Sequence, residues 1–320
     1  MSGIAIMTSG GDAAGMNPAI KAAVDRACQL GMNPYVVYNG LEGLIDGKIK
    51  KATLELTSEM PYRGGTLLRT ARSKRFLEKK YREEGYKHLR ANGIDKLIIA
   101  GGDGSFRALN DFFNDFEVPF AGIPATIDND IAGTDYCLGV DSAQNVILNC
   151  IDAIRDTAMS HHRAFVIETM GRDCGYLAMT TAICSGADIC VVPELPYDLD
   201  GIASRLKQRI EKGVGYVIAI VAEGTKKAEE LTQWLASHSG MDTRLTVLGH
   251  IQRGGQPTAR DRMMGIRFGT NAVESLHRGD LNKIMYYRDG EYGGCSLDKV
   301  AGQKYHVSES IIKLALPLTR

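Results

Sequence analysis

No stretch of this 320-residue chain is apolar for long enough to cross a bilayer. Its longest aliphatic run, from Val217 to Ala222, falls far short of the roughly 20 residues a spanning helix needs. Met1-Ser2-Gly3-Ile4 has neither the charged head nor the apolar stretch of a secretory signal. There is no excess of either charge, since Lys+Arg and Asp+Glu both number 38. General binders of nucleic acid or anionic membrane carry a basic surplus, so neither partner is expected, and any bound anion must be held by locally placed groups. The seven cysteines are scattered, odd in number and without a CxxC pair, which suits reduced thiols in a cytoplasmic protein better than a disulfide framework or a zinc site. The nucleotide-binding pattern GxxxxGK[ST] is missing. Gly102-Asp103-Gly104 is followed by Ser105-Phe106-Arg107, so the dinucleotide pattern GxGxxG is not completed either. No low-complexity tract and no fixed-period repeat is present.

What is abundant is glycine, 36 residues of it, and it clusters. At roughly 150 residues per domain the length predicts two domains, and 44% hydrophobic with 24% charged residues is an ordinary soluble composition. Short apolar runs alternate with helical periodicity throughout. Strands are predicted at Ile4–Met7, Pro34–Tyr38, Lys96–Ala100, Val118–Ile123, Ala164–Glu168, Ile189–Val192, Tyr216–Ala222 and Thr243–Leu248. Helices are expected at about Asn17–Leu30, from Ser105 onward, and over Asp141–Ser160. Such alternation gives parallel sheets covered by helices, and strands apolar on both sides are those buried on both faces. The predicted fold class is α/β: two doubly wound three-layer domains with mostly parallel sheets and a crossing near residue 140. The charge-dense segment Arg72–Arg90 reads as a solvated helix with i,i+4 pairs.

The glycines sit where strands end: Gly10-Gly11, Gly101–Ser105, Met170-Gly171-Arg172 and Gly249–Gly255. Open α/β sheets bind ligands at the carboxyl ends of their strands. Glycine there either makes a tight βα turn or lets backbone N–H groups approach a phosphate at a helix N-terminus. Asp103 within such a turn is either a cap or a carboxylate that needs a cation, such as Mg²⁺, between itself and a phosphate. Asp128 and Asp130, two apart after a predicted strand, are either turn caps or a general base with a metal ligand or orienting group. Arg72, Arg163, Arg172, Arg244 and Arg253 lie near predicted element ends and serve either ion pairs or phosphate oxygens.

The motifs TSGGDAAGMN, GGTLLRTAR, GGDGS, PATIDNDI with GTD, ETMGRDCGY, VAEG and LGHIQRGG, in this order and spacing, resemble the bacterial-type 6-phosphofructokinase family from the first strand to about residue 270. The resemblance implies Mg-ATP-dependent phosphorylation of fructose 6-phosphate at its 1-hydroxyl. It implies a larger nucleotide-binding domain (1–138 plus 251–304) and a smaller sugar-phosphate domain (139–250 plus 305–320). By position, Gly11, Arg72, Ser73, Gly102, Asp103, Gly104 and Ser105 match the ATP site, with Asp103 as the Mg²⁺ carboxylate. Asp128 matches the catalytic base, Thr126 and Asp130 its neighbours at the transferring phosphoryl group, and Arg72 and Arg172 the arginines that neutralise transition-state charge. Thr126, Ile127, Asp128, Met170, Gly171, Arg172 and Glu223 resemble sugar-binding positions, and His250 and Arg253 the holders of the 6-phosphate. Arg163 and Arg244 match arginines the family lends to a neighbouring subunit, which implies a homotetramer with shared sites.

Gly104 is the ATP-type residue where pyrophosphate-dependent relatives carry Asp. Ala125 stands where ATP enzymes have Gly and pyrophosphate enzymes Lys. The combination is expected to use ATP, the alternatives being a pyrophosphate-dependent enzyme or a kinase of sedoheptulose 7-phosphate or tagatose 6-phosphate. Leu41 stands where some members stack an aromatic ring on adenine, so relaxed nucleotide selectivity is expected. The family's effector site falls on Lys21, Asp25, Arg155, Asp188, Lys212 and Val214. Asp25 reverses a charge there and Val214 removes one, so weakened control by ADP and phosphoenolpyruvate is expected.

Overall fold

The computed structural model describes Ser2–Gln303 and Tyr305–Arg320. In chain order the elements begin β1 (Gly3–Thr8), α1 (Met16–Gln29), β2 (Asn33–Val37), α2 (Gly40–Ile45), β3 (Ile49–Lys51), α3 (Leu54–Thr57) and α4 (Lys79–Ala91). There follow β4 (Ile94–Gly101), α5 (Asp103–Phe116), β5 (Phe120–Pro124), α6 (Val140–His161), β6 (Arg163–Thr169), α7 (Tyr176–Ser185), β7 (Ile189–Val191) and α8 (Leu199–Glu211). The remainder is β8 (Val217–Ala222), α9 (Ala228–Ser239), β9 (Asp242–Val247), α10 (Ala259–Arg278), β10 (Lys283–Arg288), β11 (Glu291–Ser296) and α11 (Glu309–Ala315). Two compact units result. The first comprises Met1–Ile127, Ile131–Ser142 and Arg253–Tyr305; the second comprises Asp128–Asp130, Ala143–Gln252 and His306–Arg320.

The first unit holds a seven-stranded sheet in the order β11-β10-β5-β4-β1-β2-β3. Its central strands β5, β4, β1 and β2 run parallel, while β3 and β11 are antiparallel edges. All six residues of β1 and all five of β5 are buried, as runs apolar on both sides require. The strand order reverses between β1 and β4, the place where such sheets open a crevice for ligands. Close helix packing supports that region. Gly265 and Gly269 of α10 lie against α1, and a Cβ on them would come within 2.7 Å of Gly15 O and 2.3 Å of Ala19 O.

The second unit has a wholly parallel four-stranded sheet, β7-β8-β6-β9. Its core gathers Val166, Ile189, Val191, Ile202, Leu206, Val217, Ala219, Val221, Leu231 and Leu235. Among the described residues no helix is long and apolar enough to cross a membrane.

Three expectations need correcting. Arg72–Arg90 is not one solvated helix: a 3-10 turn at Arg75–Leu77 precedes α4, because Glu42 and Asp46 grip Arg75 and Glu42 also takes Ser73 Oγ. Nor is its charge all solvated, since Arg82 is buried, 2.6 Å from Asp115 Oδ2, and donates to the carbonyls of Phe76 and Leu77. Strand β9 is half exposed rather than buried on both faces, because it forms an edge of its sheet. The C-terminal region adds the hairpin β10–β11, closed by Asp289-Gly290 with both φ angles positive, the geometry of a type I′ turn.

Candidate active site

In the first unit, the ends of β1, β4 and β5 stand side by side, with Thr8 opposite Ala100 and Gly101 opposite Pro124. After β1 the chain turns at Gly10 (φ +86°), and Ser9 N–H donates to Ala100 O (2.9 Å). After β4, Gly102 precedes the 14-residue α5 without a side-chain cap, so no side chain claims the N–H groups of its first turn, of which Ser105 N–H donates to Gly102 O (2.9 Å). A Cβ on Gly102 or Gly104 would meet nothing within 4 Å, whereas one on Gly101 would strike Ser9 O and Ser105. Open space over uncapped donors at a helix N-terminus makes a cradle that fits a phosphate.

Asp103 opens that helix, salt-bridged to Arg107 through Oδ2, while its buried Oδ1 has no hydrogen-bond partner among the described residues. Among the described residues no group of three His, Cys, Asp or Glu side chains could hold a metal. A single carboxylate with one unsatisfied oxygen beside a phosphate cradle still fits Mg²⁺, which takes one or two carboxylates and fills its other positions with water and phosphate oxygens.

Arg253 lies over the cradle's other rim. Its Nη1 is 3.9 Å from Asp12 Oδ1, a Cβ on Gly11 would come within 2.5 Å of that nitrogen, and its buried Nε has no partner. Arg253 is thus placed beside Gly11 and Asp12. Arg72 is exposed in the loop after Arg69 and makes no ion pair among the described residues. Ser73 is occupied by Glu42 and by Phe76 N–H (3.1 Å). Leu41 is 4% exposed within α2 and offers almost no face to a base.

The loop from Gly64 to Arg72 is pinned by a residue to which the sequence reading assigned no role. Asn17, fully buried, donates to Arg63 O (2.9 Å) and Gly64 O (3.2 Å) and accepts from Leu67 N–H (2.8 Å). Thr70 Oγ1 donates to Gly10 O at 3.0 Å, which ties the loop to the cradle.

Thr126 and Ile127 follow β5 in the first unit; Asp128–Asp130 belong to the second. Asp128 is 2% exposed, and its Oδ2 lies 3.1 Å from Arg172 Nε. Both Asn129 (φ +52°) and Arg172 (φ +51°) adopt the left-handed conformation, which is unremarkable for asparagine and strained for arginine. The turn after β6 is held from two sides. Glu223 Oε1 accepts from Gly171 N–H (3.2 Å) and Arg172 N–H (2.9 Å), so one of its oxygens shapes the turn and only the other is left for a ligand. Gln252, 1% exposed, accepts from Met170 N–H (3.0 Å) and donates to Gly249 O (3.0 Å). It joins the Met170–Arg172 turn to the Gly249–Arg253 turn, on which His250 is exposed. Gln252 and Asn17 lie inside the quoted motifs, and that was the only signal for them. Burial pushes the Cys174 thiol up to about 12, so the one cysteine in this cluster is no nucleophile.

Arg163 and Arg244 sit at the other end of the same sheet. Both reach Asp242, Arg163 Nε at 3.0 Å and Arg244 Nη2 at 2.9 Å. The residues proposed for an effector divide between units. On α1, Lys21 Nζ is 2.6 Å from Asp25 Oδ2. In the second unit Asp188 is 2% exposed, paired with Arg209 and accepting from Ile218 N–H (2.9 Å). Arg155 donates to Ser185 O, while Lys212 is exposed at the end of α8.

A doubly wound α/β chain with an anion-fitting helix N-terminus in its first unit and a buried acid paired with arginine in its second carries groups that suit phosphoryl transfer. Residues 3–276 match the phosphofructokinase family, and the chain belongs to it. It is 50% identical over 314 residues to the ATP-dependent 6-phosphofructokinase of Sulfurimonas denitrificans, covering 98% of each chain. It is 47% identical to the protein of the same name from Wolinella succinogenes, again covering 98% of both. Among solved structures, phosphofructokinase from Saccharomyces cerevisiae superposes with a TM-score of 0.87 at 33% identity, covering 93% of this chain and 45% of that longer one. The pyrophosphate-dependent phosphofructokinase of Marinobacter aquaeolei shares the fold at 20% identity, with a TM-score of 0.84 over 100% of this chain and 92% of that one.

Proposed function

We propose that this chain is an ATP-dependent 6-phosphofructokinase, converting fructose 6-phosphate and ATP into fructose 1,6-bisphosphate and ADP. The observation that carries the chemistry is Asp128, a nearly inaccessible carboxylate beside a guanidinium. As general base its Oδ takes the proton of the 1-hydroxyl while that oxygen attacks the γ-phosphorus. The bond from phosphorus to the bridging oxygen breaks, and the electron pair leaves with ADP. Arg172, strained and held by Glu223 through its own N–H, is positioned to meet developing charge. Thr126 and Asp130 flank the base and orient the transferring group. The uncapped start of α5 holds the nucleotide phosphates, with Gly11 and Arg72 beside it. Asp103 would hold Mg²⁺, which supplies charge neutralisation across the phosphate oxygens.

Met170, Gly171 and the free oxygen of Glu223 hold the sugar, with His250 and Arg253 for the 6-phosphate. ATP rather than pyrophosphate fits the open space over Gly104 and the uncharged, buried Ala125, which provides no ammonium to replace nucleotide contacts. Strand β6 separates Arg163 from the Met170–Arg172 turn by about 20 Å, at about 3.3 Å per residue. One catalytic centre cannot use both ends of that strand, so Arg163 and Arg244 serve the centre of a second copy in a homotetramer.

The test is fructose 1,6-bisphosphate formation from fructose 6-phosphate and Mg²⁺ with ATP and pyrophosphate in parallel. Turnover with ATP alone is expected. Turnover with pyrophosphate alone would overturn the donor assignment, and activity confined to other sugar phosphates would overturn the substrate.

A further inference from the structure

Asp261, on the first turn of α10, is completely buried in the first unit and outside every role described above. Its two oxygens accept three hydrogen bonds: Gly139 N–H on Oδ1 (2.9 Å), and Ser142 N–H (2.8 Å) and Ser142 Oγ–H (2.6 Å) on Oδ2. Gly139 and Ser142 are the entry and first turn of α6, where main-chain donors have no partner within the helix. A carboxylate from another helix caps them and meets the positive end of the α6 dipole.

The residue next to this clamp reaches the reaction loop. Leu138 N–H donates to Pro124 O (2.9 Å), and Leu138 pairs with Ala125 in a parallel bridge. Pro124 and Ala125 lead straight into Thr126, Ile127 and Asp128. The same clamp abuts the phosphate turn. A Cβ on Gly139 would lie 2.6 Å from that of Ala13, and one on Gly15 would lie 2.7 Å from Leu138 and 3.1 Å from Asp261 O.

We propose that Asp261 is a positioning residue for phosphoryl transfer: by capping α6 through Gly139 and Ser142 it fixes Leu138, and through Leu138 the Pro124–Ala125 strand end that carries Thr126 and Asp128. The inference rests on reading Asp128 as the base.

The clamp is fully satisfied only while Asp261 is ionised: the Gly139 and Ser142 N–H groups can only donate, and a proton on the carboxyl would have to turn the Ser142 hydroxyl, which already accepts from Thr258 N–H (3.0 Å), from donor to acceptor. Burial pushes its carboxyl up to about 6, outweighing the three hydrogen bonds. The ionisable groups around it are few. Asp141 on α6 adds to the upward push and accepts from Thr258 Oγ1 (2.6 Å). Tyr292 on β11 lies under Arg267, Arg260 stacks on Tyr136, Arg262 donates to Pro257 O, and Asp12 with Arg253 occupies the phosphate turn. A carboxyl raised from 3.8 to about 6 binds its proton more tightly folded than unfolded, so stability falls as pH rises through that window. At neutral pH the ionised group therefore burdens the fold, and its benefit is the fixed geometry of α6 and the loop.

The test is kcat and KM for both substrates between pH 5 and 8.5, with folding checked by circular dichroism. Asp261→Asn should lower kcat roughly tenfold at pH 8 with both KM values within about threefold of wild type, and should abolish an acid limb of kcat near pH 6. Ser142→Ala removes one donor to the carboxylate, so the limb should move to higher pH. A kcat of Asp261→Asn within about twofold of wild type, or a limb that Ser142→Ala leaves in place, overturns the proposal. If Asp261→Asn does not fold, Ser142→Ala decides alone. Asp128→Ala, run alongside, isolates the premise: full turnover there removes the reading of the base whatever Asp261 does.

Discussion

Asp128 and Asp103 lie in opposite environments, and on the proposed reading the first is the base and the second the metal carboxylate. Asp128 is almost without solvent contact and has a guanidinium at 3.1 Å, whereas Asp103 stands at a helix N-terminus with one oxygen unsatisfied. A base acts on the transition state, so Asp128→Ala should lower kcat by roughly 10²–10⁴-fold and leave ATP affinity nearly unchanged. Steady-state kinetics with an independent nucleotide titration checks this; a variant retaining more than about a tenth of wild-type turnover contradicts the role. These two residues were legible in the sequence because each lies in a polar turn following an apolar run. Gln252, Asn17 and Asp261 were not. They are buried polar side chains whose partners are 82, 46 to 50 and 119 to 122 residues away, and nothing local announces such a pairing.

At the scale of elements, the central strands were predicted nearly residue for residue, since a run buried on both faces is apolar on both sides. The edge strands that were missed share one cause. Edge strands β3 and β11 are partly solvated and carry mixed sequences, so periodicity alone does not reveal them, whereas β9 was predicted but not its exposed face. The Asp289-Gly290 turn was a readable hairpin signal, but its strand EYGGCS has two glycines where a strand normally shows branched or aromatic residues. Helix starts matter as much as strands. Thr258 caps α10 by accepting from Asp261 N–H (3.3 Å) and also donates to Asp141 (2.6 Å). Thr258→Ala should cost about 1–2 kcal/mol, read as a lower urea midpoint. An unchanged midpoint would show that α10 is held by its packing on α1 instead.

At the scale of the whole molecule, the proposed reading of Arg163 and Arg244 as residues lent to a second copy makes association part of catalysis. Asp128→Ala and Arg244→Ala chains, each nearly inactive alone, should regain a measurable fraction of wild-type activity when unfolded together and refolded as mixed oligomers. A centre built from one chain only would show no recovery. Regulation belongs to the same scale. Lys21 is paired with Asp25, Asp188 is buried against Arg209 and Ile218 N–H, and Arg155 donates to Ser185 O, so four of the six positions expected to hold an effector are already engaged. Added ADP should shift the half-saturating fructose 6-phosphate concentration by less than about threefold, and a tenfold activation would contradict this.

The sequence by itself determined the α/β class, the parallel central strands and the glycine-rich turns at their ends. Each of these is written in residues close together along the chain: apolar runs, glycines at strand ends, a carboxylate opening a helix. Tertiary structure alone decided which side chains hold those turns in place. It put Gln252 between two turns, closed Asp261 onto α6 and set Arg163 at the far end of β6 from Arg172. Those placements depend on sheet order and helix packing, in which residues distant along the chain become neighbours, and local pattern does not encode that order.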